Sequence, residues 1–178
     1  QLEGDIELRI GGDGPELQSL KRLATPDPRI KFLGRITDAV LIEQYRNALC
    51  VPFVPFDEDY GLITLEAMQA AKAVITLTDS GGVNELVKPG ETGLSVPASV
   101  DALAQGLAQV VGDREHTITM GKQARESVAR IQWTSIVESL LSECSSEREV
   151  LKMDPLGSNL ARPKIVVAVS FPVFPPKG

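Results

Sequence analysis

The stretch from Leu49 to Leu77 constrains this chain most, because four segments of different character follow one another there without interruption. Leu49 to Val54 is apolar and suits a buried strand, with Pro52 and Pro55 placing the end of that run at a frayed terminus. Asp57, Glu58 and Asp59 then form an acidic loop that closes on Gly61. Leu62 to Ala71 are strong helix formers with apolar side chains at 62, 65, 68 and 71, so one face is expected to pack inward, with Glu66 off that stripe. Ala73 to Leu77 reads as the next strand. A strand, a crossover helix and a second strand in that order call for parallel pairing.

The same alternation extends in both directions. Ile6, Leu8 and Ile10 alternate with polar residues, and Gly11-Gly12-Asp13-Gly14-Pro15 turns the chain into a helix expected over 15–24, with Pro15 suited to its first position. The third glycine of a dinucleotide-binding G-x-G-x-x-G is missing, so this turn reads as a loop beside a cleft. A short strand over 29–33 ends at Gly34, and Thr37 or Asp38 is placed to cap a helix over 39–47 whose Val40, Leu41, Tyr45 and Ala48 face the core. After Leu77, Thr78-Asp79-Ser80-Gly81-Gly82 leads to a short helix carrying Asn84 and Glu85, and Leu94 to Val96 is a last strand. Helices follow over 99–111, 115–130 and 134–150. Together these predict an α/β fold, a Rossmann-like doubly wound parallel sheet with ligands at the carboxyl ends of the strands.

Composition narrows the partners. Of the 178 residues, 43% are hydrophobic and 24% charged, the balance of a globular protein, and the net charge of −6 argues against nucleic acid as a partner. Cys50 and Cys144 fit neither a metal spacing nor a disulfide framework and read as structural thiols. His116 is the only histidine and stands in a polar stretch, a poor setting for a catalytic base.

A helix that begins at Gly61 leaves its first N–H groups unpartnered and partially positive, a seat for phosphate that Gly61 has no side chain to obstruct. Glu58 and Glu66 bracket that seat and suit hydroxyl groups on either side of it. A ligand built as sugar, phosphate and sugar matches the layout.

Glu58, seven intervening residues and Glu66, set in Glu58-Asp59-Tyr60-Gly61-Leu62-Ile63-Thr64-Leu65-Glu66-Ala67-Met68, resemble the E-x7-E signature of the retaining GT-B glycosyltransferases of family 4, the glycosyl transferases group 1. Leu8 to Pro15, Ile30 to Gly34 and Thr78 to Glu85 stand where that family has its other blocks, in the same order, and the likeness runs over residues 6–141. It implies the C-terminal, donor-binding half of a GT-B enzyme over 1–150. Residues 151–163 read as a linker, and 164–178 as the first strand of a following GT-B N-terminal domain in a longer, tandem chain of which this is a piece.

By the same resemblance the donor is a nucleotide-diphosphate sugar and transfer retains the anomeric configuration. Glu58, the catalytic candidate, would hold the transferred sugar, and Glu66 the ribose. The N–H groups of Tyr60, Gly61, Leu62 and Ile63 would take phosphate and sugar, while Leu33 and Arg35 would lie against the base. The dipoles at the helix start would stabilise charge on the departing diphosphate. No metal or other cofactor is implied. A cytoplasmic location, or one peripheral to the cytoplasmic face of a membrane, and an acceptor that is a glycan, lipid or small molecule complete the expectation, with the enzyme's own N-terminal domain as partner.

The chain departs from the pattern in three ways. The family's diphosphate-binding arginine and lysine, which precede the block at Gly11, have no counterpart here. Ala71 and Ala73 stand where a glycine and a proline are usual. The acceptor domain is absent apart from its suggested first strand, so this piece alone is expected to bind donor weakly and turn over little. Three other readings compete. Asp57-Glu58-Asp59 contains a D-x-D like that of metal-dependent GT-A enzymes, which would leave Glu66 idle. The Asp79-Ser80-Gly81-Gly82 block also resembles sugar-nucleotide epimerases of the same architecture, and a noncatalytic nucleotide-binding module is the third class.

Overall fold

The computed structural model describes residues 6–147. Five strands and seven helices alternate within them: β1 Leu8–Gly11, α1 Leu17–Ala24, β2 Ile30–Gly34, α2 Asp38–Asn47, β3 Cys50–Pro52, α3 Leu62–Gln69, β4 Ala73–Leu77, α4 Val83–Leu86, β5 Gly93–Val96, α5 Val100–Gly112, α6 Arg114–Val128 and α7 Trp133–Glu147. Every pairing between them is parallel. β1 pairs with β2 from Leu8 opposite Ile30, and a three-stranded sheet runs in the order β3-β4-β5, with Cys50 opposite Ala73 and Val74 opposite Gly93.

β4 explains the core. Ala73, Val74, Ile75 and Thr76 have no exposed surface, as expected of a middle strand with helices on both faces. Val74 points into one apolar cluster with Leu65, Met68, Val83, Ala124 and Val128. Its neighbours Ala73 and Ile75 point the other way, into a cluster with Leu94, Val110 and Met120. The alternation of side chains along one strand therefore supplies two cores, and the three-stranded sheet is covered from both sides.

The N-terminal part is more thinly covered. α1 lies over Leu8, Ile10, Ile30 and Phe32 and leaves an apolar hollow of 190 Å³ lined also by Leu20, Leu23 and Ala24. Neither α1 nor α2 has a fully buried residue.

Several boundaries and faces differ from the sequence reading. β3 is only three residues long: the Phe53 N–H still donates to the Ile75 carbonyl at 2.9 Å, but the next donor along β4, the Leu77 N–H, is taken by the Ser80 hydroxyl. α3 stops at Gln69, and Ala71 adopts a positive φ of 59°, the conformation a glycine would take there at lower cost. Its buried side is Thr64, Leu65, Ala67 and Met68, not the stripe through 62 and 71: Leu62 opens the helix at the edge of the fold and is 65% exposed. On α2, Thr37 is the cap, its Oγ1 accepting from the Val40 N–H, while Val40 faces outward at 37% exposure.

The chain divides into two compact units at Ile136/Val137. On α7, Ile136, Val137, Leu140 and Leu141 are exposed. The side chain of Trp133, the linker over 151–163 and the strand within 164–178 lie outside the described residues. Among the described residues no helix is long and apolar enough to cross a membrane.

Cys50 is the one thiol whose surroundings are described, and burial pushes it up to about 11. In a chain carrying Cys144→Ser, its reaction with a charged aromatic disulfide at pH 8 is expected to be about 100-fold slower than in the unfolded chain, following the lost thiolate fraction. Equal rates in the folded and unfolded chains would show that the thiol is not shielded.

Candidate functional site

Parallel neighbouring strands end at the same level, so the loops after β3 and β4 meet. Ser80, fully buried, joins them: its hydroxyl donates to the Pro55 carbonyl at 2.9 Å and accepts from the Leu77 N–H at 3.2 Å. The Asp57 N–H donates to the Asp79 carbonyl at 2.9 Å, and the Gly82 N–H donates to the Glu58 carbonyl at 2.8 Å. Glu58 and Gly81 form an isolated parallel bridge. Side chains are excluded where the loops touch, since a Cβ on Gly81 or Gly82 would run into the backbone of 57–59. The glycine pair thus does more than turn the chain: it fixes the position of Glu58.

Gly61 converts the loop into α3. Its φ of 69° and ψ of 60° are left-handed, and a Cβ there would stand 2.6 Å from Val83 Cγ2. The Thr64 N–H donates to the Gly61 carbonyl at 2.8 Å, which leaves Leu62 and Ile63 as helix-opening residues whose N–H groups have no acceptor within the helix. The Glu58 carboxylate leans over this end, with Oε1 3.4 Å from the Gly61 N–H, a long and therefore weak cap. Tyr60, Leu62 and Ile63 are exposed around it.

Glu66 projects from the second turn of α3 and is exposed. The Tyr45 hydroxyl on α2 donates to its Oε2 at 3.1 Å. Tyr45 itself is half-buried against the Leu65 and Met68 cluster, and its pKa is pushed well above the usual phenol value, by burial first and by the Glu66 carboxylate second. The sequence reading placed Tyr45 in the core by its spacing. The ring is indeed packed there, but the hydroxyl serves the site.

The structure thus brings Glu58, Tyr60, Gly61, Leu62, Ile63 and Glu66 onto one loop and helix. Leu33 and Arg35 stand elsewhere, at the end of β2, and no hydrogen bond or ion pair among the described residues links them to that loop. The loops after β1 and β2 meet each other instead, through the Gly12 N–H and the Gly34 carbonyl at 2.8 Å. Asn84 is structural: its amide donates to the Leu77 carbonyl and its Oδ1 accepts from Ser95, tying the end of β4 to β5. His116 is exposed on α6, with its backbone N–H on Asp113. Among the described residues no group of three or more His, Cys, Asp or Glu side chains is placed to hold a metal ion.

Comparison with known proteins fits this arrangement. The family model described as glycosyl transferases group 1 matches residues 1–127. The D-inositol 3-phosphate glycosyltransferase of Nocardia farcinica is 33% identical over 119 residues, which are 66% of this chain and 26% of that protein. Among solved structures, the Anabaena protein HepE, determined with UDP and glucose, superposes with a TM-score of 0.69 at 25% identity over 82% of this chain and 42% of its own. The sucrose-phosphate synthase of Thermosynechococcus elongatus gives 0.69 at 27% identity over 82% and 39%. The chain therefore spans about a quarter of the length of the curated relative and about two fifths of the solved structures.

Proposed function

This chain belongs to the group 1 glycosyltransferases, and from that membership and the geometry of α3 we propose that it is the donor-binding half of a retaining glycosyltransferase that uses a nucleotide-diphosphate sugar. The observation that carries the reading is the joint placement of Glu58, the open amides at the start of α3 and Glu66 on one loop and helix. That HepE was solved with UDP and glucose supports the ligand class.

In this reading the diphosphate sits against the amides of Gly61, Leu62 and Ile63, displacing the weak contact from Glu58. The freed Glu58 carboxylate then accepts from hydroxyls of the transferred sugar, and Glu66 accepts from the ribose. Fixed N–H dipoles at the helix start stabilise the charge that grows on the leaving diphosphate without needing to reorganise. A separate lobe supplies the acceptor, and Leu33 and Arg35 flank the base.

Calorimetric titration of the 178-residue chain with UDP, GDP and ADP and their glucose conjugates tests the reading. One nucleotide is expected to bind, unaffected by chelator. Glu66→Ala should weaken it about 10-fold or more, as removal of a hydrogen bond to a charged group does. Binding to none of them, or no effect of Glu66→Ala, overturns the assignment.

A further inference from the structure

Glu66 is exposed, yet it is not free to rotate. Its partner among the described residues is the Tyr45 hydroxyl, brought from another helix 21 residues earlier in the chain. No cation lies within ion-pair distance of it among those residues, so the contact orients the carboxylate without neutralising it. That combination is unusual for a surface glutamate, which ordinarily samples several rotamers and loses them only when a ligand orders it.

Tyr45 is itself well anchored. Its ring packs on the Leu65, Met68 and Val74 cluster. The helix that carries it is tied to the turn after α3 through Lys72, whose ammonium donates to the Arg46 carbonyl at 3.0 Å. The hydroxyl therefore has a fixed position relative to α3. A carboxylate offers about four acceptor positions. Tyr45 takes one on Oε2 and leaves all of Oε1, and the outer side of Oε2, for two adjacent hydroxyl groups.

We propose that Tyr45 is a positioning residue: its hydroxyl presets Glu66 to accept both hydroxyls of a ribose diol, an inference that rests on the reading of α3 given above. Tyr45 touches no ligand in this scheme. Its effect passes through Glu66 and is largest for nucleotides that carry the diol.

The test uses the 178-residue chain and whichever of UDP, GDP and ADP binds best, beside its 2′-deoxy counterpart. Tyr45→Phe keeps the packed ring and removes only the hydroxyl, and its thermal midpoint is expected to match the parent. Its dissociation constant for the ribonucleotide should rise about 3- to 10-fold, the scale of one lost hydrogen bond, while that for the deoxynucleotide, which keeps only the 3′-hydroxyl for Glu66, rises by clearly less. In the double variant with Glu66→Ala the loss should equal that of Glu66→Ala alone. Equal losses for the two nucleotides, an additive double variant, or an unaltered ribonucleotide affinity beside a Glu66→Ala defect would overturn the role of Tyr45 and leave the donor site standing. Failure of the parent to bind any nucleotide, or a silent Glu66→Ala, would remove the site itself and Tyr45 with it.

Discussion

Replacing Gly61 with alanine is expected to destabilise the fold by about 3 kcal/mol and to abolish nucleotide binding together with it, from two costs that add. An L-residue held in the left-handed region costs about 1–2 kcal/mol, and the observed φ of 69° and ψ of 60° lie squarely there. The new methyl group would also stand 2.6 Å from Val83 Cγ2 and 3.4 Å from Phe53 Cε1. Val83 is fully buried in the cluster that holds Met68 and Val74, so it has nowhere to retreat, and overpacking of that kind costs about 1–3 kcal/mol. Urea unfolding followed by far-UV circular dichroism measures the sum. At a slope of about 1–3 kcal/mol per molar, the midpoint should fall by about 1–3 M. Gly90→Ala is the control, because Gly90 has a similar φ of 80° but nothing within 4 Å of its absent side chain. It should show the conformational cost alone and bind nucleotide normally. If the two variants behave alike, Gly61 is an ordinary turn and the close fit of α3 on Val83 has no consequence.

The parts of this fold that were legible in the sequence are those decided locally. β4 was read to the residue because Ala73, Val74, Ile75 and Leu77, with Thr76 among them, run directly into the turn signal Thr78-Asp79-Ser80-Gly81-Gly82, and residues 73–76 are fully buried as such a run should be. The pair Thr37 and Asp38 announced the start of α2, and Thr37 takes the cap. The buried side of α3 was legible in part: Leu65 and Met68 are buried as read, whereas Leu62 is exposed, because a single stripe at helical spacing presumes one covered face along the whole helix. α3 instead packs against β4 and α6 through Thr64, Leu65, Ala67 and Met68, while its first residue looks outward. Non-local matters were not legible at all. Nothing near Tyr45 in the sequence points to Glu66, and nothing near Glu58 points to Gly81 and Gly82, because those contacts exist only once parallel strands set the loops side by side. Ala71 carried a partial signal: the resemblance puts it where a glycine is usual, and its positive φ is the conformation that a glycine favours.

Gly82→Ala should separate binding from folding in a way Gly61→Ala cannot. The φ of Gly82 is −58°, which alanine adopts without strain, so the substitution acts only through what its methyl group meets. It meets the Asp59 carbonyl oxygen and carbon and approaches the Glu58 carbonyl, all of them backbone, so no side chain can rotate away and the two loops must part. The bond from the Gly82 N–H to the Glu58 carbonyl then lengthens, and the Glu58 and Gly81 bridge opens. The Ser80 hydroxyl on Pro55 and the Asp57 N–H on Asp79 lie on the strand side of that contact and should hold the loops' bases in place. Since Gly82 belongs to neither apolar cluster, the loss of stability should stay near 1–2 kcal/mol, the range for a displaced loop with one weakened backbone hydrogen bond. Binding should suffer more, because Glu58 is displaced from the start of α3 and misplacement by about 1 Å is enough to cost two orders of magnitude in catalytic positioning. The dissociation constant for the nucleotide sugar is therefore expected to rise more than about 10-fold, with a smaller change for the nucleotide lacking the sugar, whose contacts to Glu66 and to the helix amides are untouched. Equal weakening of both would mean that the loop pair supports the phosphate seat as a whole, and retained affinity for the sugar conjugate would remove Glu58 from the site.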